Sequence, residues 1–370
     1  MAGKKHHRWA IPSAVAAGAV IAATVVMSPW SAQADGNKDA DATWKTVYGS
    51  DDIGGQYRSI AVGGAKDVWA FGSKDSTEGD KSATRLTHWD GKTWTEKSAP
   101  KGSTVDPDIA DASGPDNVWA GGEGADGAVM LHYDGKKWGT SQLGSVNPTD
   151  VEAIASDDVW LSGDGSGDGT HGTMKHYDGK SWKDVSGASY AVRGMDSVSS
   201  KEVYAAGSDG TQPTVDRWNG KKWASMKVPK VDLGNCEEAY FTDVLPRSSK
   251  DVWAVGTMAC EDEEGPDEQS LLAHWDGSKW TMKLGTHPRG FEAVADDGDG
   301  GMWMATQDDT YYHYQDGKLT AFDLGYDQEM QSATVENLPG TTAMVGTGAL
   351  YEDGDPPDPQ SYGIVAAYGL

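Results

Sequence analysis

The chain has 370 residues, with 57 Asp and Glu against 31 Lys and Arg, a net charge of −26, and 48 glycines. So acidic a composition argues against nucleic acid and against acidic membranes as partners, because both demand clustered basic side chains. It suits a protein that stays soluble and monomeric.

The chain opens on a basic stretch, "MAGKKHHR", followed by the apolar run "WAIPSAVAAGAVIAATVVM" and then "SAQA". Ala32-Gln33-Ala34 has the small-x-small form of a cleavage site, so residues 1–34 are expected to be a signal peptide. An uncleaved anchor is the competing reading, since the run is nearly long enough to span a bilayer. The expected location is extracellular, with no membrane contact after cleavage. The leader holds three basic and no acidic residues, so the mature chain is more acidic still. Residues 35–41 read as a short linker, and 42–370 as one folded unit with no second hydrophobic span.

"ATWKTVY" (Ala42–Tyr48) comes next, a strand with no hairpin before it. From there one unit recurs roughly every 45 residues, the size of a four-stranded propeller blade. Each copy begins with a small-residue strand such as "YRSIAVG" (Tyr57–Gly63) and continues into a second strand. That second strand is "KDVWAFG" (Lys66–Gly72), "DNVWAGG" (Asp116–Gly122), "DDVWLSG" (Asp157–Gly163), "KEVYAAG" (Lys201–Gly207), "KDVWAVG" (Lys250–Gly256) or "GGMWMAT" (Gly300–Thr306), with a faded seventh, "TTAMVGTG". A third strand, an Asp-Gly turn and a fourth strand opening on Trp follow, as in "LTHWDGKTW" (Leu86–Trp94) and "AHWDGSKW" (Ala273–Trp280). Asp-Gly supplies the positive φ of a short hairpin, and period-two apolar runs argue for all-β structure.

Only the seventh unit lacks its fourth strand, because the chain stops at "GIVAAYGL" (Gly363–Leu370). The orphan strand at the head supplies it. The fold expected is therefore a seven-bladed β-propeller of four-stranded blades, its last blade closed by the N-terminal strand. Closure leaves no long free edge to template aggregation.

With strands ending in Gly and a later aromatic-Asp turn before Trp, the chain resembles the kelch-like propellers, the architecture of the central domain of galactose oxidase. It departs from them in usually carrying one Gly after "VWA" and in a shorter hairpin. It also looks like the secreted repeat propellers of filamentous Gram-positive bacteria. It does not match a WD repeat, although Trp89 and Asp90 are adjacent. The resemblance implies a fold and not a reaction.

Chemistry must then be sought in side chains the repeat does not consume. His88, His132, His176, His274 and His313 occupy one repeat position, with Arg217 in the fourth unit. A catalytic imidazole is needed once, and five copies point to five places around a wheel, so these read as structural. The 16 tryptophans divide between repeat positions and the leader, leaving none as a separate sugar platform. Tyrosines at the starts of the innermost strands, Tyr57, Tyr190 and Tyr240, could substitute.

The innermost strands line the channel, where charge is unexpected. Aligned on the following "DVW", one position is read as Arg58, Asp108, Glu152, Arg193, Thr242, Glu292 and Ala333 in turn, with Arg289 nearby. Two readings stay open: a solvated mouth with weak ion pairs, or a ligand site using Tyr57, Arg58, Asp108, Glu152, Tyr190, Arg193, Arg289 and Glu292. "SGDGSGDGTHG" (Ser162–Gly172) offers Asp164, Ser166 and Asp168 in the alternation of a calcium loop, but lacks the later glutamate; the other reading is a Gly-rich connection. No other cofactor is expected. Cys236 and Cys260 are expected to form a disulfide in an oxidising compartment, and "CEDEEGPDE" (Cys260–Glu268) reads as a solvated acidic excursion.

Serine-hydrolase, zinc-protease and phosphate-loop motifs are missing from the sequence. The function expected is a non-catalytic binding propeller whose partner is an extracellular polysaccharide, a cell-wall component or a protein. The competing expectations are a polysaccharide hydrolase or lyase using Asp108, Glu152 and Glu292, or a recognition subunit of a larger secreted complex.

Overall fold

The structure is a computed structural model. It describes residues 43–370 except 51–54, 75–82, 102, 125–126, 165–171, 188–189, 263–264, 286–288, 307, 309, 325–328, 333 and 353–359. The leader and linker expected over 1–41 lie outside the described residues.

Seven antiparallel sheets follow one another: blades one (56–97), two (109–144), three (147–185), four (191–225), five (238–284) and six (291–323) each have four strands in sequence order. Blade seven takes Glu329–Ser332 and Glu336–Asn337 on its inner side, then Met344–Glu352 and Gln360–Tyr368, then Trp44–Gly49 from the head of the chain. The head strand runs antiparallel to the tail, from Trp44 opposite Tyr368 to Gly49 opposite Ile364. Ser50 extends the seam: its N–H donates to the Gly363 carbonyl at 2.8 Å and its Oγ accepts from the Gly363 N–H at 3.0 Å. The predicted closure is thus present. First strands of successive blades touch one another around the ring, which makes them the channel wall.

The repeated histidine supports a local hub. In blade one Trp69 Nε1 donates to Asp67 Oδ1 at 3.2 Å, and His88 Nε2 binds Asp67 Oδ2 at 2.9 Å. The imidazole lies on the indole, with ring centres 4.2 Å apart. Blades two, three, five and six repeat the imidazole bond with Asn117, Asp158, Asp251 and Asp297 at 2.7–2.8 Å. In blade two burial holds the His132 imidazole below its ordinary range, which fits a neutral ring donating to the neutral Asn117. Blade four changes all three members together. Glu202 accepts from the Tyr204 hydroxyl at 2.6 Å and from Arg217 Nη2 at 2.8 Å, so a carboxylate still holds two donors.

Indoles join the blades. The far side of Trp69 meets Tyr133 and Trp138 of the next blade at 5.3 and 5.2 Å, the latter edge-on. At the closing seam Trp44 stacks on Tyr311 at 3.8 Å and meets Trp303 edge-on at 5.5 Å. Such aromatic pairs contribute beyond their buried area.

The outer hairpins differ in one respect from the two-residue turn that Asp-Gly suggests. In five blades four residues connect the strands, and the Asp or Asn side chain accepts two backbone N–H groups: Asp90 Oδ1 takes those of Lys92 and Thr93, both at 2.9 Å. Only the following glycine, such as Gly91 at φ 87°, is left-handed there. The sixth hairpin has both Asp316 and Gly317 at positive φ, between Gln315 and its partner Lys318, and so is the two-residue form.

Blade five is the longest. Its second and third strands, Asp251–Asp262 and Gly265–Trp275, pair out to Asp262 and Gly265. Cys236 and Cys260 are joined, tying the connection from blade four to this hairpin. Among the described residues no helix is long and apolar enough to cross a membrane.

Candidate functional site

The start of each inner strand pairs with the end of the second strand, as Gln56 does with Ser73. The channel mouth therefore opens on the face that carries the variable loops between second and third strands, and the Asp-Gly hairpins lie on the opposite face.

Inner strands of five blades carry a β-bulge near this mouth, where an extra residue falls out of register with its neighbours. The extra residues are Arg58, Thr149, Arg193, Thr242 and Glu292. A bulge bends the strand and re-aims one side chain, and it recurs next to functional sites. This register corrects the alignment made from sequence. The residue of blade three equivalent to Arg58 is Thr149, and Glu152 lies deeper in the channel. Thr149 and Thr242 serve the ring instead: each hydroxyl donates to an inner-strand carbonyl of the next blade, Val192 and Phe291, at 2.7 Å.

At the mouth Arg58 Nε lies 3.2 Å from Asp106 and 3.6 Å from Asp108 of the next blade. Burial, with Asp106 and Glu123 close by, raises the Asp108 carboxyl above its ordinary range. The Arg193 guanidinium sits over the Tyr240 ring, 4.2 Å from its centre. Burial raises the Tyr240 phenol, Arg193 opposes that shift, and the nearby Glu292 adds to it. Arg289, just before the sixth inner strand that carries Glu292, is exposed, and Gly290 N–H donates to Glu268 Oε2 at 3.2 Å. The predicted residues Arg58, Asp108, Arg193, Arg289 and Glu292 thus belong to one rim. Tyr57 and Tyr190 do not. Tyr57 is 2 % exposed with its hydroxyl bonded to Thr87, and Tyr190 is 7 % exposed with its hydroxyl donating to the Ala205 carbonyl. Both rings fill the core between strands because apolar area at the start of an inner strand is drawn there.

From the rim inward the channel holds a cavity of about 490 Å³. Its wall carries Asp111, Asp150, Glu152, Asp196, Asp243 and Glu336, drawn from blades two, three, four, five and seven. Only Glu152 among these was singled out from the sequence. Their signal was present: Asp111, Glu152, Asp196 and Glu336 all stand six residues before the first residue of the second-strand "DVW" motif. Three of the aspartates stitch blades together. Asp111 accepts from its own blade at Ala112 N–H (2.7 Å) and from the next at Ala153 N–H (2.6 Å). Asp243 does the same with Val244 (2.7 Å) and Val294 (2.8 Å), and Asp150 with Val151 and Met195.

Desolvation outweighs these bonds. Burial pushes the Asp243 carboxyl up to about 7. Asp150, Glu152, Asp196 and Glu336 are held well above the ordinary carboxylate range by burial, and next by one another's charge. Asp111 is raised by burial, while the Ala153 and Ala112 N–H groups it accepts oppose the shift.

Asp164 is buried at the end of its strand, whereas Ser166 and Asp168 of the calcium-loop expectation lie outside the described residues. Among the described residues no group of three or more His, Cys, Asp or Glu is placed to hold a metal ion.

No protein family and no curated protein matches the sequence. Solved structures do share the fold. YCF48 bound to D1 peptide is 15 % identical with a TM-score of 0.57, covering 91 % of this chain and 98 % of that one. The WD40 propeller domain of Doa1 is 12 % identical with a TM-score of 0.58, covering 88 % and 97 %. Sqt1 of Chaetomium thermophilum, bound to the N-terminus of ribosomal protein L10, is 11 % identical with a TM-score of 0.54, covering 83 % and 86 %. At such identities the likeness is one of fold: the chain is similar to other β-propellers.

Proposed function

We propose that the chain is a secreted, monomeric, non-catalytic binding propeller that takes a segment of a protein partner at the loop-bearing mouth of its channel. The observation that carries this reading is the set of bulges that turn Arg58, Arg193 and Glu292 out at one rim, beside Asp108 and the Tyr240 ring. The repeated histidines and tryptophans are spent on the scaffold, so the groups a catalytic site would want are engaged elsewhere. For the same reason a protein segment suits the rim better than a glycan, which would use indoles as stacking platforms. Two propellers of similar fold are named with peptides bound, YCF48 with D1 peptide and Sqt1 with the L10 N-terminus. Around the rim Asp106, Asp108, Glu123, Glu268 and Glu292 outnumber Arg58, Arg193 and Arg289, which favours a basic segment.

The test is a random-peptide library and a glycan array applied to the mature chain. Recovered peptides are expected to be rich in Lys and Arg, and to bind at least about tenfold more weakly to an Asp108→Asn, Glu292→Gln double variant. Glycan binding without peptide binding, or cleavage of a polysaccharide that Glu152→Gln abolishes, would overturn the proposal.

A further inference from the structure

The channel wall brings together six carboxyl groups that the proposed binding rim does not use. They face one another. Glu336 on the inner side of blade seven is opposed by Asp111, Asp150, Asp196 and Asp243 from the other side of the lumen. Its carboxylate is open to the lumen yet has protein around it on every side. The neighbouring inner strands, of blades one and six, present Ser59, Ile60, Ala293 and Ala295 there, with Asp296, whose charge is taken by Arg247. Among the described residues lining the cavity the sole cationic side chain is Arg193, and it lies on Tyr240 at the rim. Nothing basic therefore balances the wall at depth.

Like charges confined in one lumen cannot all be ionised without cost, and protons relieve that cost. Asp111 and Glu152 lie close together on this wall, and the charge of Asp111 raises the cost of ionising Glu152.

We infer that the channel wall is a proton-binding element that couples the ring's stability to acidity: the folded chain takes up protons between mildly alkaline and mildly acidic solution and is firmer for it. The sign follows from linkage. The folded-state values lie above the unfolded ones, so the native chain holds more protons over the window from about 7, set by Asp243, down to the ordinary carboxylate value near 3.8. Stability then rises as pH falls through that window. This inference does not rest on the proposed partner, because its readouts need none.

The experiment is thermal unfolding of the mature chain between pH 5.5 and 8 in 0.5 M NaCl, which screens exposed charges more than enclosed ones. The midpoint is expected to fall by at least about 5 °C from pH 5.5 to 8. Glu336→Gln removes a wall charge without breaking a hydrogen bond. It should raise the midpoint at pH 8 by at least about 2 °C, leave it within about 1 °C at pH 5.5, and so flatten the profile. Asp196→Asn serves as the second wall variant, since an amide can still accept from the Ser197 N–H. Asp299→Asn, which removes an exposed charge, should leave the slope unchanged. A midpoint that is flat or rises with pH overturns the inference, and so does a slope that Asp299→Asn flattens as much as the wall variants do.

Discussion

Replacing Trp303 with alanine is expected to destabilise the ring by about 3–5 kcal/mol, the range for deleting a fully buried indole. Trp303 is 1 % exposed and stands where the two ends of the chain meet. Its ring contacts His313 at 4.6 Å, Phe322 at 4.8 Å, Tyr368 at 4.7 Å and Trp44 at 5.5 Å. Removing it opens a cavity between blade six and the closing blade, and it deprives the head strand of its anchor. Trp94 is the useful contrast. It is only partly buried, with Trp89 and Tyr48 about 6 Å away. Trp94→Ala should cost less than half as much. Equilibrium denaturation of both variants checks the ordering; equal losses would show that the seam holds no special place in the ring.

The second large effect concerns the head strand itself. A chain beginning at residue 51 lacks Trp44–Gly49 and leaves the backbone of Ile364–Tyr368 unpaired along one side. It also exposes the faces of Tyr311 and Trp303 that Trp44 covers. An apolar edge strand of this kind recruits other chains. The truncated chain is expected to lose its cooperative melting transition or to aggregate, and a peptide spanning 43–50 added in trans should restore part of the transition. A truncated chain that melts at the midpoint of the intact one would refute velcro-like closure.

Much of this architecture is legible in the sequence because repetition multiplies a weak signal. One "DVWA" strand is ambiguous, but seven near-copies ending in an orphan strand at the head and an incomplete unit at the tail imply a closed ring. The structural role of His88 and its counterparts is legible for the same reason, and the concerted change to Glu202, Tyr204 and Arg217 in blade four shows the hub being conserved as chemistry while its residues change. The channel is harder to read. In blade three the residue nine places before the second-strand motif, as Arg58 is in blade one, is Thr149, whereas Glu152 stands six before it, level with Asp111 and Asp196; among so many acids a nearby Glu is easily taken for the equivalent of Arg58. Tyr57 and Tyr190 mislead in another way. Their hydroxyls find partners inside the protein, which lets a polar-tipped ring be buried. Asp111, Asp196 and Glu336 share a repeat position, but single acids among 57 draw no notice until the ring sets them face to face.

Where a partner sits on the wheel is the question on which the functional account turns. Hydrogen–deuterium exchange of the mature chain, with and without the tightest peptide from the library, answers it directly. The account predicts slowed exchange at the starts of the inner strands, around residues 56–60, 191–195 and 290–294, with the Asp-Gly hairpins unchanged. Protection at Asp90–Thr93 and Asp276–Lys279 on the opposite face, with none at the mouth, would contradict it.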